Sequence, residues 1–213
     1  MTAKNKRITH WGIPFDLENF PLSANRLIAS QGDENAVPKA IHLEIGCGWG
    51  EFTRESAQKN PHALYVAIEK KLGRILKSAK EQDRARLTNI RYLNLDLAWF
   101  FSGVFSTGLF EKIVINFPDP WPKSRHGKHR FINPDFVAEL ARISTGQAVI
   151  EFVTDNYPYA KEAMEVFEAS KYFENIYSPY TAIPEIPGRP VSYFEQIHRG
   201  EGAPIYFLVY RKK

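Results

Sequence analysis

Cysteine is almost missing from this chain. Cys47 stands alone, so no intramolecular disulfide can form and a Cys-x-x-Cys metal site is excluded. The six histidines show no His-Glu-x-x-His spacing, and no metal is expected. Long apolar runs are missing too, with nothing approaching the roughly 18 residues of a membrane-spanning helix. The start, Met-Thr-Ala-Lys-Asn-Lys-Arg, has no apolar stretch of the kind an export signal carries. These absences predict a cytoplasmic protein with no membrane partner. Internal repeats and low-complexity tracts are also absent. What is present suits a globular protein: 213 residues, 44% hydrophobic and 24% charged, enough for one α/β core. The net charge of +4 favours a polyanionic partner only where the bases cluster.

Residues 1–39 have no clear period. Pro14, Pro21 and Pro38 and the polar stretch Ser30–Asn35 predict an irregular lead-in with one short helix. Residues 40–213 are expected to form a single domain. Apolar runs with strand character fall at Ile41–Ile45, Leu64–Ile68, Ile90–Leu93, Lys112–Phe117 and Ala148–Val153. Helical spacing fills Glu51–Lys59, Lys70–Asp83, Pro134–Arg142 and Tyr157–Ala169. Strands alternating with helices predict a doubly wound α/β fold, a mostly parallel sheet with helices on both faces. Two more runs, Tyr172–Tyr177 and Ile205–Tyr210, bring the strands to seven, the last expected as an antiparallel partner at the sheet edge.

In such sheets ligands bind beyond the carboxyl ends of the strands. Every chemically suggestive group of this chain falls at such an end. The first run closes on Glu44-Ile45-Gly46-Cys47-Gly48-Trp49-Gly50, and alternating glycines make a tight turn where backbone can approach a ligand. The dinucleotide fingerprint G-x-G-x-x-G is absent, because the third glycine comes one residue early. A carboxylate beside the turn suits a cation better than a pyrophosphate. That points to S-adenosylmethionine (SAM), whose ammonium and sulfonium are both positive, seated on Gly46, Gly48 and Gly50 with Glu44. The plainer reading is a glycine turn that only packs a strand on a helix. Glu69 closes the second run about 20 residues past the glycines, the offset at which a carboxylate accepts ribose hydroxyls. Asp96 follows the third run, placed either to accept from an adenine amino group or to cap a helix at Leu97-Ala98-Trp99-Phe100.

The most specific stretch follows the fourth run: Asn116-Phe117-Pro118-Asp119-Pro120-Trp121-Pro122-Lys123-Ser124-Arg125-His126-Gly127-Lys128-His129-Arg130. Three prolines around Asp119 stiffen the loop. Trp121 offers a flat face for a base, and Lys123, Arg125, Lys128 and Arg130 form a strip suited to phosphates. A rigid acid, an aromatic plate and a cationic strip together suggest chemistry on a nucleic-acid base.

With these motifs in hand, the chain resembles the bacterial tRNA (guanine-N7-)-methyltransferases. The likeness rests on the Glu44–Gly50 turn, Ile68-Glu69, the Phe117–Arg130 block, Thr154-Asp155 and Ser192-x-Phe194-Glu195, and it covers about residues 40–210. It implies a Rossmann-like SAM-dependent methyltransferase fold and methylation of the guanine at position 46 in the tRNA variable loop. It also implies SAM contacts from Glu44, Glu69, Asp96 and Asp119, with Asp119 catalytic. Lys123, Asp155 and Ser192, Phe194 and Glu195 are implied for the guanosine substrate. Ser192 stands where the family commonly has threonine, and His129 where it usually shows arginine.

Other functions make different demands. A SAM enzyme acting on another base or on a protein side chain shares the cofactor signals, although Asp119 between Pro118 and Pro120 departs from the Asn-Pro-Pro-aromatic motif of amino methylation. A nicotinamide oxidoreductase wants the missing glycine spacing. A mere RNA-binding module gains nothing from acids at four or five strand ends. The composition is compatible with a monomer or a homodimer.

Overall fold

The computed structural model describes residues 21–29, 38–96, 103–119 and 132–213. Chain order is α1 (Ala24–Ala29), β1 (Ala40–Ile45), α2 (Glu51–Lys59), β2 (Ala63–Glu69), α3 (Leu72–Arg84), β3 (Ile90–Asn94), β4 (Phe110–Asn116), α4 (Pro134–Ile143), β5 (Ser144–Thr154), α5 (Tyr157–Ala169), β6 (Phe173–Asn175), α6 (Tyr193–Gly200) and β7 (Tyr206–Lys212). The strands form one seven-stranded sheet in the order β3-β2-β1-β4-β5-β7-β6. β1 to β5 pair in parallel, and β7 runs antiparallel to both β5 and β6. The doubly wound, mostly parallel sheet is therefore as expected.

One placement differs from expectation. β7 lies inside the sheet, between β5 and β6, and the three-residue β6 takes the edge. Its run Phe207–Tyr210 is buried, and an apolar strand buried on both faces belongs inside a sheet. β5 also begins earlier than its apolar run, because α4 passes straight into it at Ser144, which pairs with Phe110 ahead of a register shift.

Alternation along β1 divides the molecule into two layers. Leu43 and Ile45 face the larger core with Val66, Ile113, Phe152, Val137 and Phe167, so α4 and α5 cover that face. On the opposite face Ala67 and Tyr92 pack against Ala57, Ile75 and Ala79 of α2 and α3. His42, Glu44, Lys112 and Glu151 share this second face by register, which makes it far more polar. Caps start the helices where the sequence changes character. Asn133 and Asn156 accept from the backbone N–H groups of Phe136 and Tyr159, each at 2.9 Å, and Pro follows each cap inside the first turn.

Candidate active site

Parallel pairing brings the carboxyl ends of β1 to β5 to one edge of the sheet. The glycine turn springs from β1 there. The N–H groups of Gly46 and Cys47 both donate to the Ile68 carbonyl, at 2.8 and 2.9 Å, which pins the turn to the end of β2. Gly46, Gly48 and Gly50 all have positive φ (78°, 58° and 72°), a region that L side chains rarely adopt. A Cβ at Gly48 would meet only open space, whereas one at Gly50 would come within 2.9 Å of the Tyr92 hydroxyl. The first glycines thus leave room for a ligand and the last permits close packing of α2.

Two acids frame this turn. Glu69 is buried, and its carboxylate accepts from the N–H of Gly48 at 3.2 Å and of Lys71 at 2.8 Å, with Arg74 at 3.4 Å. Glu44 is buried as well. It accepts from the Thr53 hydroxyl and from Asn116 Nδ2, the latter at 3.0 Å. Burial pushes the Glu44 carboxyl above its ordinary pKa, while its two hydrogen bonds and the nearby Arg189 oppose that shift. The Cys47 thiol is pushed well up by burial and then by Glu44 and Glu69. Burial of this kind disfavours the reactive thiolate. Trp49 at the tip lies under Lys77 at 4.4 Å and Arg74 at 5.4 Å from the ring centre, a cation–π pairing that holds α3 against the turn.

Asp119 stands at the rim. Its side chain is 74% exposed and lies 3.9 Å from Lys70 Nζ, next in sequence to Glu69. Glu44, Glu69 and Asp119 thus gather around one edge. Asp96, partly buried, follows β3, and the Leu95 N–H donates to the Glu69 carbonyl at 3.2 Å. These groups fit SAM: open space beside glycine backbone, a buried carboxylate behind it, and a second carboxylate hydrogen-bonded to the turn.

The ends of β4 and β5 with α6 form the other half. Phe117 takes a left-handed conformation (φ 45°), costly for a bulky residue and typical of functional turns. Its ring stacks on His198 at 5.4 Å and lies 6.4 Å from Phe194. Asp155 is partly open, with His198 Nε2 at 3.7 Å. Phe194 is 42% exposed, but Ser192 and Glu195 turn inward. Ser192 caps α6 by accepting from the Glu195 N–H at 3.3 Å. The Glu195 carboxylate accepts from Arg189 at 2.9 Å and Arg199 at 3.0 Å. No sequence pattern points to Arg189 or His198, and Asn116 stands in the sequence only as the first residue of the proline-rich stretch. Only Ser192-x-x-Glu195, a capping-box spacing, announces α6. Lys123, Arg125, Lys128 and Arg130, with Trp121, lie outside the described residues. Among the described residues no group of three or more His, Cys, Asp or Glu side chains is placed to hold a metal ion, and no helix is long and apolar enough to cross a membrane.

Residues 38–208 match a family described as "Putative methyltransferase". The chain is 35% identical over 202 residues to the tRNA (guanine-N(7)-)-methyltransferase of Leptospira interrogans serovar Lai, covering 92% of this chain and 90% of that one. The chain belongs to the tRNA (guanine-N(7)-)-methyltransferase family. A further member, from Clostridium tetani, is 40% identical over 136 residues, 62% of this chain and 63% of its own. The crystal structure of TrmN from Thermus thermophilus superposes with a TM-score of 0.58 at 18% identity, over 83% of this chain and 45% of that one, and supports the fold. The parallel sheet brings the glycine turn and Asp119 to the same edge.

Proposed function

We propose that this enzyme transfers the methyl group of SAM to N7 of guanine in tRNA, at position 46 of the variable loop. The observation that carries this reading is the shared edge. Glu69 binds the Gly48 N–H, Glu44 lies just behind the turn, and Asp119 stands 3.9 Å from Lys70, the residue that follows Glu69. Glu44, the glycine backbone, Glu69 and Asp96 hold SAM in this reading, with Glu69 toward the ribose and Asp96 toward the adenine. SAM supplies an electrophilic methyl group.

The protein's own part follows from guanine. N7 carries an in-plane lone pair and no proton, so no general base is needed there. Much of the rate then comes from alignment. Positive charge builds on the purine as N7 is alkylated, and a carboxylate near the ring is worth more then than in the ground state. Asp119, exposed at the rim, has that role. Asp155 accepts from N1–H and N2–H₂, which adenine lacks. Phe194 offers a ring to the base, while Ser192 and Glu195 hold its helix in place. Lys123 contacts the guanosine, and Arg125, Lys128 and Arg130 follow the phosphates. Residues 40–213 act as one domain, in the cytoplasm where tRNA is modified.

The test is incubation with labelled SAM and unmodified tRNA, followed by nucleoside analysis. Label in N7-methylguanosine is the expected result. Label in another nucleoside would move the activity to a different base, and no label in tRNA would remove the proposal.

A further inference from the structure

One buried cation joins the two halves of the site, and no motif pointed to it. The Arg189 side chain is only 3% exposed. Its Nε donates to Glu151 at 3.0 Å, and its Nη1 to Glu195 at 2.9 Å and to the Pro190 carbonyl at 3.2 Å. Its Nη2 donates to Asn116 Oδ1. The guanidinium plane also lies over the Phe52 ring at 4.5 Å. Asn116 passes the connection on, since its Nδ2 donates to Glu44 at 3.0 Å. The amide orientation is dictated by chemistry, because the opposite flip would set its NH₂ against a guanidinium and its oxygen against a carboxylate.

From this network we infer that Arg189 is a positioning residue that holds the guanosine-side helix α6 in register with the cofactor-side carboxylate Glu44. The inference rests on the function proposed above. A purely structural ion pair is a poor use of buried charge, since well-packed apolar residues stabilise at least as well. Here, however, two of the four hydrogen-bond partners, Glu195 and Asn116, belong to the site. Glu195 lies in the α6 segment that carries Phe194. Asn116 ends β4, three residues before Asp119. Glu44 is reached through that same asparagine. A guanidinium is suited to the task because its planar fork binds several acceptors in fixed directions, which a lysine ammonium cannot do. In-line transfer is sensitive to small misplacements, so loosening the fork should slow chemistry before it weakens binding.

The test compares wild type with Arg189→Lys. Three quantities are read: the single-turnover methyl-transfer rate with both substrates saturating, the affinity for S-adenosylhomocysteine, and the affinity for tRNA. A cavity of about 240 Å³ beside Arg189, lined by His42, Glu44, Phe52 and Thr53, leaves room for water around a lysine. The expected result is a folded variant with a rate at least about tenfold lower and both affinities within about threefold of wild type. If that variant does not fold, the charge-balanced Arg189→Met/Glu151→Gln replaces it, with the same expectation. A rate within about twofold of wild type in a folded variant would overturn the inference, as would affinities falling in step with the rate. Loss of fold in both variants would make Arg189 a fold residue and likewise overturn it. An inactive wild type, by contrast, would count against the proposed function and not against the register role of Arg189.

Discussion

The two halves of this site, proposed above to hold cofactor and substrate, are built differently. Around the glycine turn the organising groups are backbone: Gly46 and Cys47 N–H on the Ile68 carbonyl, and Gly48 and Lys71 N–H on Glu69. In the substrate half they are side chains, with Arg189 and Arg199 gripping Glu151, Glu195 and Asn116 while Phe117 stacks on His198. A backbone cradle depends on φ and ψ at a few neighbouring residues. A side-chain network depends on residues as far apart as Asn116 and Arg189, 73 positions in sequence. The first tolerates side-chain change and resists backbone change. The second should behave in the opposite way.

The largest effect is expected at the seam between the halves. Asp119→Ala should lower kcat by about 10²-fold, the usual size of an electrostatic catalytic contribution, and change SAM affinity far less. Steady-state kinetics with SAM binding measured separately would check this. Near-normal turnover would remove Asp119 from the mechanism.

Backbone dependence of the cofactor half is sharpened by a pair of alanines. Gly50→Ala would force a Cβ within 3.1 Å of Tyr92, Ser78 and Arg54 at φ 72°, and should cost about 1–3 kcal/mol of stability. Gly48→Ala meets no protein atom and should cost about 1–2 kcal/mol, the left-handed penalty, yet weaken SAM more than Gly50→Ala does. Thermal unfolding and calorimetric titration read the two effects apart. The opposite ranking in SAM affinity would contradict the ligand seat assigned to Gly48.

On the substrate side, Arg125→Ala and Arg130→Ala should each raise KM for tRNA and reduce the slope of log affinity against log salt by about 1. If the slope is unchanged, neither residue faces a phosphate.

The smallest effect at neutral pH is expected at His42, on the polar face below both halves. Burial first, then the Lys112 charge, lowers its pKa to about 4, with Glu151 opposing. The folded state therefore binds this proton less readily than the unfolded chain, whose histidine has a pKa of about 6.5. The resulting stability is fully present above pH 6.5 and is lost as pH falls toward 4. His42→Gln should flatten the melting-temperature profile within that interval. An unaltered slope would show that His42 does not titrate there.

Much of the cofactor half was legible in the linear chain because its parts are local. A strand-like run closing on alternating glycines, with Glu44 two places before them and Glu69 ending the next strand, is a pattern of neighbours. The inward turn of Ser192 and Glu195 was not legible. The same letters serve a substrate contact or a capping box, and the positions of Arg189 and Arg199 decide which way Glu195 points. The place of β7 was equally hidden, since an apolar strand near the end of a chain fits an edge or an interior slot and pairing alone chooses.

By itself, then, the order of residues determined the alternation of strands and helices, the glycine turn, and the acids at the strand ends. Each of these follows from periodicity and from conformational preferences acting over a few residues. Tertiary structure alone decided which acids stay open and which are locked, and how Arg189 ties α6 to β4 and, through Asn116, to β1. A buried charge must find its partners wherever the sheet delivers them, and that information does not exist until the chain has folded.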